Sequence, residues 1–370
     1  MTHLPGFIAS CLIGLMGMSP VPSGAAPFLN DTGGMGVGVY YFPGWKSKQI
    51  GAPSADPWAR LKSYPHLKPQ LGWYEEDAPG VLEQQLRWMK ESSIQYVVFD
   101  WLWGPDNKPY LDHAVNKYLS LPDKHGVKFT VLWANHTSYV FSRHQLRSLF
   151  AFWSTRYLND KNVVRINGLP AVYLFSADTF VKNALALGTT SAELIEMANE
   201  EARTAGLPGL AFVGGVYANQ RDFDYSERSG FTAWTAYNYH GPATGSLGSP
   251  PRWVSHSYAE LDTSYRDHWS WMVKNAGLPF VVPMTSGWDK RPWGGSSDPL
   301  HDQSTPTVKE FQRHLEAGKA FSRDHARDTI GSGIICCWNE FGEGSIIEPT
   351  QGQGMRFLQA VDKVFSATRP

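Results

Sequence analysis

Gly333-Ile334-Ile335-Cys336-Cys337-Trp338-Asn339-Glu340-Phe341-Gly342-Glu343-Gly344 is a short apolar run that stops at two carboxylates set among glycines. A run of this length fits a buried strand or a piece of buried helix, and the flanking glycines favour strand. In an ideal strand, residues three apart rise about 10 Å and point to opposite faces. Gly342 and Gly344 give the chain freedom to curl, so Glu340 and Glu343 are expected to face one cavity. Two carboxylates at the mouth of a strand suit acid/base chemistry at a glycosidic bond. The competing reading is an ordinary strand-to-helix loop with both glutamates solvated.

Upstream, the chain repeats one pattern. Apolar runs at Val37 to Phe42, Tyr96 to Phe99, Lys128 to Trp133, Ala171 to Phe175, Leu210 to Val216, Phe231 to Ala236 and Phe280 to Met284 read as strands. Helical patterns follow at about 79–92, 111–121, 142–158, 191–205, 258–275, 306–324 and 354–365. Only Asn219 to Ser229, after the fifth strand, makes at best a short helix. Strand and helix alternating over this length predict a single-domain (β/α)8 barrel. A doubly wound sheet is the alternative, but no glycine-rich dinucleotide turn follows the first strand. The proline-rich connection from Pro43 to Pro79 is expected to wall a cleft.

A chain of 370 residues can hold such a barrel or two ordinary domains. Its 34 acidic residues nearly balance 33 lysines and arginines, so charge implies no nucleic-acid partner. Phe7 to Met18, followed by small residues to Ala26, reads as a signal peptide. Residues 1–26 are then a leader and 27–370 one domain, secreted or periplasmic. The leader's start has His3 but no lysine or arginine, and Ile8-Ala9-Ser10-Cys11 resembles a lipoprotein box. No other stretch is apolar and long enough to cross a bilayer. Cys336 and Cys337, as strand neighbours, are expected to point to opposite faces as free thiols.

In a barrel the active site lies where strands end. The strand ends carry Tyr41, Trp45, Asp100, Trp101, Trp103, Asn135, His136, Tyr237, His240, Trp288, Asp289, Arg291, Trp338 and Asn339, and these are the candidate substrate contacts. Trp101, Trp103, Trp288 and Trp293 are candidates to stack on sugar rings, with loop packing as their alternative. Asp100, at the end of an apolar run, needs partners and could hold a sugar hydroxyl or a catalytic glutamate. Asn135-His136-Thr137 is also a glycosylation sequon, though a glycan facing the cleft would block it. Asp100, Asp178 and His136 would make a metal set only if they converge, and no zinc spacing or G-x-S-x-G elbow occurs. No cofactor or metal is therefore expected.

Taken together, Tyr40-Tyr41-Phe42-Pro43-Gly44-Trp45, Phe99-Asp100-Trp101-Leu102-Trp103, Gly287-Trp288-Asp289, Trp338-Asn339-Glu340-Phe341-Gly342-Glu343-Gly344 and Ile347-Glu348-Pro349 resemble the glycoside hydrolase family 99-like domain. The resemblance implies a barrel related to endo-acting α-mannosidases that retain anomeric configuration without a metal. It implies that Glu340 takes the proton of the sugar 2-hydroxyl, which attacks the anomeric carbon to give a 1,2-anhydro sugar. Glu343 would protonate the leaving oxygen and then activate water. The family's Glu-Trp-His-Glu type of segment is replaced here by Phe341-Gly342 between the glutamates, so mannan specificity is not carried over. The expectation is an exported glycosidase acting on a carbohydrate, with its oligomeric state open. A non-catalytic sugar-binding or assembly protein is the alternative, and a glycosyltransferase a further one.

Overall fold

The computed structural model describes residues 35–48, 56–136, 138–218 and 230–366. The leader, the lipoprotein-like box and the connection at 219–229 lie outside the described residues. Eight parallel strands close on themselves: β1 (Gly36–Tyr41), β2 (Tyr96–Trp103), β3 (Lys128–Trp133), β4 (Leu169–Leu174), β5 (Ala211–Gly215), β6 (Ala233–Thr235), β7 (Phe280–Thr285) and β8 (Thr329–Cys336). Each pairs with the next, and β8 pairs back onto β1 with Val37 opposite Gly333, so the barrel has no free edge. Helices α1 (Val81–Glu91), α2 (His113–Ser120), α3 (Arg143–Arg156), α4 (Ala177–Ala186), α5 (Ser191–Thr204), α6 (Tyr258–Asn275), α7 (Val308–Asp324) and α8 (Arg356–Phe365) surround it. This is the (β/α)8 barrel expected from the alternation. Among the described residues no helix is long and apolar enough to cross a membrane.

Local chemistry sets the helix starts. Ser142, Thr190 and Thr307 each accept a hydrogen bond from the backbone three residues on, and Gln145, Glu193 and Glu310 reach back to close a capping box. Helix α4 is additional to the helices expected from the sequence, and the Ser176 hydroxyl caps its N-terminus. Asp178 therefore sits in the first turn of a helix, paired with Lys182, rather than at a strand mouth.

Two cores follow from the strand period of two. Tyr40, Tyr96, Val98, Leu132, Tyr173, Val213 and Ile334 fill the barrel interior. Val39, Val97, Phe99, Phe129, Val172, Val282 and Ile335 face the helices. Cys336 and Cys337 overturn the expectation of opposite faces. They are joined by a disulfide across a cis peptide bond, and both belong to the interior cluster.

A third cluster lies beneath the β8 end. Trp45, Trp58, Leu61, Tyr74 and Val81 pack with Phe341 and Ile346, and Trp45 stacks on Trp58 at 4.0 Å. The described part of the long connection after β1 is thus a buttress for the segment after β8, not the cleft wall expected from its length.

Candidate active site

After β8 the chain makes a hairpin. Asn339–Glu340 pairs antiparallel with Ser345–Ile346, and the Glu343 amide donates to the Glu340 carbonyl at 3.1 Å. This turn, rather than a curled strand, brings both glutamates to one cavity. Gly344 adopts φ +66°, and a side chain there would also press on the Asp289 backbone. Gly342 matters for space: an added Cβ would lie 2.0 Å from the Trp293 indole, which occupies the room above the turn and lines the cavity. Gly342→Ala is expected to displace Trp293 and raise KM several-fold more than it lowers kcat, as steady-state kinetics would show.

The hairpin is held from behind by a buried polar network. The Asn339 side chain accepts from the Phe42 amide at 2.8 Å and donates to the Phe42 carbonyl at 2.9 Å, locking β8 to the end of β1. It also donates to the Tyr74 hydroxyl, which donates to Glu348 at 2.7 Å, while Gln85 donates to the other Glu348 oxygen at 3.1 Å. Glu76, fully buried, accepts from the Trp45 amide and contacts His113 at 2.9 Å. Burial raises the Glu348 pKa to about 8. A carboxyl whose folded pKa exceeds its unfolded value favours folding below the unfolded pKa and loses that contribution as pH rises through the folded one. Glu348→Gln is therefore expected to gain thermal stability relative to wild type between about pH 5 and about pH 8, in paired melting curves.

The cavity has a volume of about 490 Å³, within the range of small-ligand sites. Asp100, Glu340 and Glu343 line it together with His136, His240, Trp288, Lys290 and Trp293, and Phe42, Leu102, Phe175, Tyr217, Tyr237 and Asn238 complete the wall. Asp100 reaches it because β2 continues to Trp103. The same alternation that turns Tyr96 and Val98 inward turns Asp100 and Leu102 inward as well.

The Tyr237 hydroxyl lies 2.9 Å from Asp100 Oδ2 and 3.0 Å from Glu340 Oε1. One phenolic proton can serve only one carboxylate, so a second proton must reside on one of the two acids for both contacts to be hydrogen bonds. Burial drives the Asp100 pKa well above the carboxylate range, and burial together with the Glu343 and Asp100 charges does the same to Glu340. With the proton on Asp100, its carboxyl donates to Tyr237, and Tyr237 donates to an ionised Glu340. Asp100 Oδ1 and Glu340 Oε2 are buried and have no hydrogen-bond partner among the described residues. Burial raises Glu343 to about 7, a shift that Lys290 opposes.

Several other candidates are not brought to the cavity. Trp101 and Trp103 point to the helix side of β2, where Trp101 packs on Trp103, Phe152 and Trp153. Tyr41 donates to Gln85 in the buried network, and the Trp45 indole donates to the Asn339 carbonyl. Trp338 is fully buried in the outer core. Asn135 exchanges two 2.8 Å hydrogen bonds with the Ser176 backbone, which leaves its amide no room for a glycan. Arg291 pairs with Asp289 at 2.7 Å outside the cavity lining. Among the described residues, no group of three or more His, Cys, Asp or Glu side chains is placed to hold a metal ion.

Against known proteins, a family model described as Glycosyltransferase WbsX matches residues 52–361. The chain belongs to the WbsX family. No curated protein matches it in sequence. Among solved structures, the WbsX chain is similar to one described as a glycoside hydrolase-like protein, at 14% identity, with 94% of this chain and 98% of that chain covered and a TM-score of 0.65. It is also similar to the family GH99 endo-α-mannosidase of Bacteroides thetaiotaomicron solved with bis-tris propane, at 14% identity, 88% and 95% coverage and a TM-score of 0.60. A second structure of that mannosidase gives 16% identity, 85% and 87% coverage and a TM-score of 0.53. These likenesses establish the shared barrel. The family 99-like resemblance carried by the motifs is borne out by the family match together with these neighbours.

Proposed function

We propose that this WbsX-family chain is an exported glycoside hydrolase that cleaves an α-linked bond in a polysaccharide or oligosaccharide with retention. The observation that carries this reading is the pairing of Glu340 and Glu343 in one cavity with different surroundings. Glu340, ionised and accepting a hydrogen bond from the Tyr237 hydroxyl, is the base that removes the sugar 2-hydroxyl proton. The resulting oxyanion attacks the anomeric carbon, the glycosidic bond breaks, and its oxygen takes the Glu343 proton. Glu343, now ionised, deprotonates the water that opens the 1,2-anhydro ring, and Glu340 returns its proton to the 2-oxygen. Protons and bonds balance, and each acid ends as it began. A Glu343 pKa of about 7 suits a group that must both give and take a proton near neutrality.

The family's description names a glycosyltransferase, and a nucleotide-sugar donor is the competing reading. The cavity charges favour the hydrolase. Asp100, Glu340 and Glu343 face it and, among the described residues, Lys290 is the one lining lysine or arginine, an unfavourable setting for a diphosphate. The test is a screen of the protein against a broad panel of neutral and charged glycans, with Glu340→Gln and Glu343→Gln beside it. Release of reducing sugar by wild type, lost in both variants, is the expected result. Release that survives both substitutions would overturn the site.

A further inference from the structure

In the cavity that the carboxylates line, a chain of hydrogen bonds fixes the face that His240 shows to a ligand. His301 is buried, and its Nδ1 lies 2.9 Å from the Ser255 carbonyl oxygen and 3.2 Å from the Ser255 hydroxyl, which has the Ser304 hydroxyl as its nearer partner at 2.7 Å. A carbonyl only accepts, so Nδ1 of His301 carries the proton. Its Nε2 lies 3.1 Å from Nδ1 of His240. In a neutral His301 that Nε2 holds a lone pair and can only accept, so His240 must be protonated on Nδ1. The remaining nitrogen, Nε2 of His240, is then bare. Among the described residues it has no hydrogen-bond partner and it is not one of the fully buried polar atoms, so it opens to the cavity that His240 lines. Burial lowers the pKa of both rings, and the His240 value falls to about 4, which keeps the pair neutral at ordinary pH. Trp288 braces the arrangement, its ring 4.4 Å from His240 and stacked on His301.

We infer that His240 is a fixed hydrogen-bond acceptor for a hydroxyl of an uncharged sugar, and that it selects neutral glycans over uronic-acid-containing ones. A hydroxyl can donate to the bare Nε2. A sugar carboxylate would place its charge against a lone pair, with no proton between them to share. The inference rests on the glycosidase reading only for the class of ligand; the hydrogen-bond relay stands without it.

The test is nitrogen-15 NMR of histidine-labelled full chain at neutral pH, with His240 assigned by loss of its signals in His240→Gln. The expected spectrum has His240 protonated on Nδ1 with Nε2 bare. A protonated Nε2 on His240, as imidazolium or as the other tautomer, overturns the inference. His301→Phe removes the acceptor and is expected to populate the Nε2-protonated tautomer of His240. His301→Gln restores a carbonyl oxygen at that place and should restore the wild-type pattern, which a merely structural role for His301 would not produce. Methyl α-mannoside, methyl α-glucoside and methyl α-glucuronide are then titrated. At least one neutral glycoside should move the Nε2 signal while the glucuronide leaves it in place. Movement by the glucuronide, or by neither neutral glycoside, overturns the recognition. None of these readouts needs turnover, so their failure is distinct from failure of the hydrolase assignment.

Discussion

Glu343→Gln is expected to lower kcat/KM on an unactivated glycan by about 10²–10⁴-fold, the usual contribution of a positioned general acid. Glutamine keeps the shape of the side chain and the hairpin that carries it, because the turn is held by backbone bonds from Glu343 to Glu340 and from Asp289 to Glu343. What is lost is the proton for the leaving oxygen. An aryl glycoside whose leaving group needs no proton should therefore lose much less in the bond-breaking step. Glu340→Gln should behave differently. Its loss, of similar size, should be independent of the leaving group, since the base acts on the sugar and not on the departing oxygen. Equal leaving-group sensitivity in the two variants would contradict the roles assigned here.

The second large effect concerns pH. In wild type, kcat/KM should fall as pH rises past about 7, where the pair loses the proton it shares, and fall again in acid, where both glutamates are protonated and none is left to act as base. The two limbs belong to the coupled pair rather than to either glutamate alone. Tyr237 stabilises the ionised form of Glu340 by donating to it, so Tyr237→Phe should raise the Glu340 pKa and move the acid limb to higher pH. Asp100→Asn gives a sharper contrast. An asparagine NH₂ can donate to Tyr237 as a protonated aspartic acid does, so this variant should keep far more activity than Asp100→Ala. If Asp100 instead works as an ion, Asn and Ala should be equally poor.

The barrel and the pairing of Glu340 with Glu343 at one cavity are legible in the sequence because both rest on short-range rules. Strand β3 and helix α6 occur where the apolar pattern places them, and Glu340 and Glu343 meet because a glycine-flanked turn can only fold back. The errors came from where a strand stops. Ending β2 at Phe99 made Trp101 and Trp103 into loop residues free to face the cleft; the structure continues β2 to Trp103, and alternation sends both indoles to the helices. The same correction explains Leu102, which lines the cavity and was not singled out. Lys290 lies between Asp289 and Arg291, which pair with each other while the lysine faces the cavity. Tyr217 follows β5 as the named candidates follow their strands, so the strand-end rule itself could have found it. The Cys336–Cys337 disulfide defeats reasoning from strand geometry, because it requires neighbours to share a face. Tyr41, Trp45 and Asn339 are strand-end residues absorbed into the network behind the site, a role that depends on long-range partners such as Gln85, Tyr74 and Phe42.

Hydrolysis of a neutral glycan in ¹⁸O-labelled water, read by mass spectrometry of the released reducing end, tests the central claim most directly. Wild type is expected to place one heavy oxygen at the new anomeric carbon, and Glu343→Gln to release the same labelled product about 10²–10⁴-fold more slowly. Product formed only when a nucleotide sugar is supplied, with no water oxygen incorporated, would contradict the hydrolase and make this barrel a transferase.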